Sequence, residues 1–144
     1  MDFEVVRIRE ITPEVVEAFG RLVPQLSQRA VLPGAESLRR VVESPQTRLY
    51  VVRSAGGYIA GALALALYDI PTGRRAWIED VVVDASWRGR GCGRALVARA
   101  VEEAAAAGAG SVMLTSAPHR REARALYAGM GFVAGGTDIF KLNL

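Results

Sequence analysis

The chain has 144 residues, 51% of them hydrophobic, a formal charge of +3, one cysteine and one histidine. That length suits one domain over residues 1–144 with a core of its own, and the hydrophobic share excludes a disordered chain. A lone cysteine excludes an internal disulfide and, with one histidine, gives no zinc set, so a reducing compartment (the cytoplasm) and no metal are expected.

The N-terminus, Met1-Asp2-Phe3-Glu4, has neither the basic start nor the apolar run of a secretory leader. Alternation over Phe3–Glu10 predicts a first strand. Thr12-Pro13-Glu14 then reads as a helix start: a hydroxyl cap, a proline at the first helical position and an acid in the first turn. Val15, Val16, Phe19, Leu22 and Val23 give that helix an apolar stripe, and Pro24 ends or kinks it. Glu36–Glu43 predicts a short amphipathic helix. The segment Gln25–Ser44 around it has the weakest pattern in the chain and is the best place for a substrate-facing surface.

Arg48–Arg53 and Tyr58–Asp69 read as a hairpin turned by Ala55-Gly56-Gly57. In its second arm Ala60, Ala62, Ala64 and Ala66 share one face and Leu63, Leu65 and Leu67 the other. The run Ile59–Leu67 is the longest apolar stretch, far too short to cross a bilayer, so no membrane association is expected. Pro71-Thr72-Gly73 turns the chain into a strand over Ile78–Val83.

A glycine-arginine loop follows, Arg88-Gly89-Arg90-Gly91-Cys92-Gly93, and then a helix over Arg94–Ala107 stopped by Gly108 or Gly110. Glycines without a Cβ let backbone amides converge on a ligand, and those amides open a helix whose N-terminal end favours an anion. Arg88, Arg90 and Arg94 add forked donors that suit phosphate oxygens. Arg94-Ala95 is not the Lys-Ser/Thr pair of a P-loop, and Arg94 stands where a dinucleotide fingerprint needs its third glycine. No lysine-rich run or aromatic-basic interleaving appears, so no dedicated nucleic-acid feature is present. Ser111–Thr115 predicts a short strand, His119–Ala128 a helix punctuated by Gly129 and Gly131, and Phe132–Val133 and Ile139–Leu144 two closing strands. This order gives a mixed α/β (α+β) sandwich.

The loop resembles the pyrophosphate-binding loop of the GNAT acetyltransferase superfamily, Arg/Gln-x-x-Gly-x-Gly/Ala. A second motif, Ala-x-x-Leu/Phe-Tyr-x-x-x-Gly-Phe, is matched by Ala123, Leu126, Tyr127, Gly131 and Phe132. Together they carry the resemblance from about Tyr50 to the end, the first forty-odd residues matching only in element order. Many members have Asn seven residues before the tyrosine; Arg120 stands there, which looks like the branch of small-amine and aminoalkylphosphonate acetyltransferases.

The resemblance implies transfer of acetyl from acetyl-coenzyme A to an amine by direct attack in a ternary complex. It implies a twisted, mainly antiparallel sheet whose fourth and fifth strands run parallel and splay, with about four helices. Backbone of Val81, Val82 and Val83 would meet the pantetheine, and Arg88, Gly89, Arg90, Gly91, Cys92, Gly93 and Arg94 the pyrophosphate. Arg120, Ala123 and Tyr127 would complete the cofactor site, and Tyr127 would protonate the departing thiolate. Cys92 itself reads as a small residue between glycines without a catalytic partner.

An alkylamine, with a pKa near ~10, needs a base before it can attack. Glu79, a carboxylate in the strand feeding the loop, is the candidate, matching the glutamate of polyamine-type members; an ion pair with Arg74 or Arg75 is its competing structural role. Asp80 should point to the opposite face. A protein or peptide acetyltransferase and a non-catalytic acetyl-coenzyme A sensor are the alternatives, and a homodimer through a C-terminal strand is plausible by family likeness.

Overall fold

The structure, a computed structural model, describes residues 2–144. Its elements are β1 (Phe3–Ile8), α1 (Pro13–Leu26), α2 (Ala35–Glu43), β2 (Thr47–Ser54), β3 (Ile59–Ile70), β4 (Gly73–Val83), a 3-10 turn (Ala85–Trp87), α3 (Cys92–Ala106), β5 (Val112–Met113) and α4 (Arg121–Gly129). The strands form one sheet in the order β1-β2-β3-β4-β5; the first four are antiparallel and β5 runs parallel to β4. The chain divides into two compact units, Met1–Leu114 and Thr115–Leu144. No described helix is long and apolar enough to cross a membrane.

In the first unit the sheet is covered on both faces. Val15, Ala18, Phe19 and Leu22 of α1 and Leu38 of α2 join Ile8, Leu49, Val51, Ile59, Ala62 and Val82 in one buried cluster. The Thr12 hydroxyl accepts the Val15 amide at 3.3 Å, and Pro13 stands in the first turn, so this helix starts where its sequence signals place it. Pro24 lies inside the helix, which still runs on to Leu26; two residues from the end, its missing amide costs a single bond.

The opposite face carries Tyr50, Leu63, Leu65, Ala76 and Ile78, all buried, beneath Leu96, Val97, Ala100 and Ala104 of α3. Close approach is possible because Gly61 has no side chain. A Cβ there would stand 2.9 Å from the Val82 carbonyl oxygen and 3.5 Å from Leu96 Cδ1. Alanine on one side of β3 and leucine on the other divide the two faces as the alternation predicts, with one adjustment. The register slips near Ala60, so Ile59, not Ala60, joins the Ala62 face.

A second irregularity sits in β4. Ala64 pairs with Glu79 but Ala62 pairs with Val82, leaving Asp80 and Val81 opposite Leu63 alone. Asp80 has φ 52°, the only described non-glycine residue in the left-handed region. The bulge interrupts the alternation of β4: Glu79 and Val82, three residues apart, both lie on the α1–α2 face by register, and Glu79 and Asp80 are both exposed. Between β4 and β5 only Ala76–Val112 and Trp77–Met113 pair, so from Ile78 to Val83 this edge has no strand partner.

The second unit corrects the sequence reading. α4 is present, but Phe132–Val133 and Ile139–Leu144 form no strand. Val133, Ile139, Phe140, Leu142 and Leu144 are exposed. Their alternation is a strand pattern, yet a strand requires a ladder partner, and residues 115–144 contain no other strand to supply it.

Candidate active site

The strand-loop-helix segment folds as an anion cradle. Gly89 and Gly91 have φ +80° and +85°, and a Cβ at either would meet nothing within 4 Å. The glycines are therefore required by backbone conformation, and the space above them is open. Gly91 is the N-cap of α3, with no side-chain cap, no acid in the first turn and Cys92 and Gly93 as the first helical residues. Its first amides are thus left for an external acceptor.

Arg88, Arg90 and Arg94 are exposed, and none makes an ion pair among the described residues. Arg88 Nε donates to the Val83 carbonyl at 3.3 Å, tying the loop to the strand end. Uncapped helix amides beside three unpaired guanidinium groups fit a diphosphate well. Cys92 is buried, and burial pushes its thiol up, as suits a packing residue more than a nucleophile.

Just before the loop lies a node that the sequence reading missed. Asp84 is buried; the Tyr58 hydroxyl donates to Oδ2, Arg21 donates to Oδ2 at 2.9 Å, and Ser86 donates to Oδ1 from its amide at 3.1 Å and its hydroxyl at 3.0 Å. The Tyr58 hydroxyl does most to hold the carboxyl down, to about 2, with Ser86 and Arg21 assisting against burial. Gln25 accepts the Ala85 amide at 2.8 Å. The Ser86 bonds apart, these contacts join residues 26 to 63 positions apart, a separation no local pattern reveals.

Glu79 makes no ion pair and no side-chain hydrogen bond among the described residues. Arg74 instead holds Asp69 and the Ala107 carbonyl, and Arg75 holds Thr72, so the structural role weighed for Glu79 is absent. Although exposed, its carboxyl is pushed up by the protein around it and then by Asp80. Val81 and Val83 are half-buried, Val82 is buried, and all three belong to the unpartnered stretch of β4.

In the second unit Ala123, Leu126, Tyr127 and Met130 form the half-buried stripe of α4. Arg120 is its exposed N-cap, and Arg124 donates to the Ser116 carbonyl at 3.5 Å. The helix ends in a Schellman motif: Phe132 N–H bonds the Tyr127 carbonyl at 3.0 Å, Gly131 N–H bonds the Ala128 carbonyl at 3.1 Å, and Gly131 has φ +97°. The Phe132 ring meets Tyr127 edge-on at 5.9 Å, the apolar contact that accompanies this cap. The Tyr…Gly-Phe spacing is therefore a helix stop in its own right. The Tyr127 hydroxyl takes no part in it and has no hydrogen bond among the described residues; burial pushes its pKa up, against a smaller opposing effect of Arg120.

A model of the acetyltransferase (GNAT) family matches residues 12–132. The chain belongs to this family. The match reaches back through α1 and α2, further than the two motifs do. Glucosamine 6-phosphate N-acetyltransferase 1 of Oryza sativa subsp. japonica is 46% identical over 141 residues, covering 92% of this chain and 84% of that protein. A probable glucosamine 6-phosphate N-acetyltransferase 2 of the same plant is 48% identical over 67 residues, 46% of this chain and only 39% of its own length. Among solved structures, an aminoglycoside acetyltransferase from a soil metagenomic sample superposes with a TM-score of 0.85 at 18% identity, over 99% of this chain and 97% of that one. A Trypanosoma brucei acetyltransferase gives 0.77 at 27% identity, over 99% and 100%. The GNAT-family chain is thus an acyltransferase with the α/β acetyltransferase fold, and acetyl-coenzyme A is the acetyl donor of GNAT acetyltransferases.

Proposed function

We propose that this GNAT-family enzyme is a single acetyltransferase domain that moves acetyl from acetyl-coenzyme A to the primary amine of a small molecule, with amino sugars the first acceptors to test. The observation that carries this reading is the cradle: an uncapped helix N-terminus behind Gly91 at φ +85°, beside arginines without acid partners. The amino-sugar acceptor takes its support from the rice relative that is 46% identical over most of both chains.

When bound, acetyl-coenzyme A supplies an activated thioester. The chain's own residues do the rest. Loop amides and Arg88, Arg90 and Arg94 hold the diphosphate, while the free edge of Val81–Val83 offers main-chain groups to the pantetheine arm. Glu79, raised above the ordinary carboxylate range and unpaired, takes a proton from the acceptor ammonium, directly or through water. Tyr127, kept protonated by burial, gives its proton to the departing sulfur. Arg120, the N-cap of α4, and Ala123 within it would add further cofactor contacts.

Thiol release from acetyl-coenzyme A, followed across glucosamine 6-phosphate, glucosamine, aminoalkylphosphonates, polyamines and a lysine peptide, tests the reading. Turnover on a small amine is expected. Cofactor binding without turnover on any of them would overturn it.

A further inference from the structure

Arg90, the middle arginine of the loop, is supported by an aromatic ring, where Arg88 is tied to the Val83 carbonyl. Its guanidinium carbon lies 4.5 Å over the Trp87 ring. Trp87 in turn stacks on Tyr58, with centroids 6.2 Å apart and planes 19° apart, and the Arg21 guanidinium lies 4.3 Å from the Tyr58 centroid. Arg21 also donates to the Tyr58 oxygen at 2.7 Å and to the Ile59 carbonyl at 3.2 Å.

The turn that carries Trp87 is held from both ends. Asp84 caps it through Ser86, Gln25 takes the Ala85 amide, and Trp87 N–H closes on the Asp84 carbonyl at 2.8 Å. A buried carboxylate, an α1 arginine and the tyrosine just before β3 thus fix one exposed turn. Its last residue is the platform on which a loop cation rests.

From this arrangement, and resting on the acetyltransferase reading above, we infer that Trp87 is a positioning residue for the diphosphate of the cofactor, acting through Arg90. Stacking on an indole engages the guanidinium face and leaves its in-plane N–H edge free for two parallel bonds to phosphate. Arg90 has no acid or hydrogen-bond partner among the described residues, so the ring is what restrains it. Holding the side chain in one place before binding removes part of its ordering cost when the anion arrives. A lysine could supply the charge but neither the flat face nor the fork.

The test is coenzyme A affinity, by calorimetry, for the unsubstituted chain, Arg90→Lys, Trp87→Leu, Trp87→Phe and the Arg90→Lys/Trp87→Leu pair, with KM and kcat for acetyl-coenzyme A alongside. Arg90 is exposed, so the lysine variant folds whatever Trp87 contributes to stability. Arg90→Lys and Trp87→Leu should each weaken binding roughly 3- to 20-fold, the range of a cation–π contact. Trp87→Phe should recover most of it, KM should rise with kcat unchanged, and the double variant should be no weaker than the worse single one. Full affinity in Arg90→Lys, or losses that multiply in the double variant, would overturn the inference while leaving the enzyme reading standing. Absence of coenzyme A binding by the unsubstituted chain would overturn both.

Discussion

Replacing Asp84 with asparagine keeps the shape of the node and removes its charge. The carboxyl sits at about 2 against an ordinary 3.8, which corresponds to roughly 2 kcal/mol in favour of the charged folded form. Arg21 keeps a second partner, Glu17 at 3.2 Å, so the variant does not leave that cation wholly uncompensated. The loss should accordingly fall at about 2–3 kcal/mol, below the ~3–5 of a fully stranded buried charge. In urea that is a midpoint lowered by about 1 M. Because the folded pKa is depressed, this stabilisation is complete above pH ~4 and disappears as pH falls towards 2. Urea titrations between pH 2 and 7 should therefore show the two proteins converging in acid. A variant within about 0.3 M of the parent at pH 7, or a gap that persists unchanged at pH 2, would refute the reasoning.

Tyr127→Phe should lower kcat on the order of 10²-fold while coenzyme A affinity, read by calorimetry, stays close to the parent value. Glu79→Gln should lower kcat/KM by roughly 10²–10⁴-fold and abolish an acid limb lying above the ordinary carboxylate range. Since a raised carboxyl pKa costs folding stability once pH exceeds it, the same variant should melt no lower than the parent at pH 7, the opposite of a lost ion pair. Gly91→Asp places a carboxylate among the uncapped amides of α3, where it competes with the diphosphate; coenzyme A affinity of the folded protein should fall at least about tenfold, and the melting temperature should drop as well because position 91 holds φ +85°.

Local chemistry explains what the sequence disclosed. Thr12-Pro13, the alternating β3 and the glycines at 89, 91 and 131 each impose a conformation on their own few residues, so their elements are legible without the rest of the chain. Asp80 is different. Its positive φ belongs to a residue that rarely adopts it, and only the pairing of β4 with β3 makes the bulge necessary. Arg21, Tyr58 and Asp84 carry no local signal of their shared node, because each meets its partners 26 to 63 positions away along the chain. At the C-terminus the pattern misled in the other direction: Phe140, Leu142 and Leu144 alternate as a strand would, but alternation reports a suitable surface, not a neighbour to pair with.

The two-pair ladder between β4 and β5 also sets a clock on the backbone. Main-chain amides that point away from β3 between Ile78 and Val83 have no strand to slow their exchange with deuterated solvent, whereas those bonded into β3 do. The strand should then label in an alternating fashion, fast on one edge and slow on the other. A ligand that lays its own amides along Val81–Val83 would erase that alternation. The erased positions would record where it lies, even before any acceptor is known.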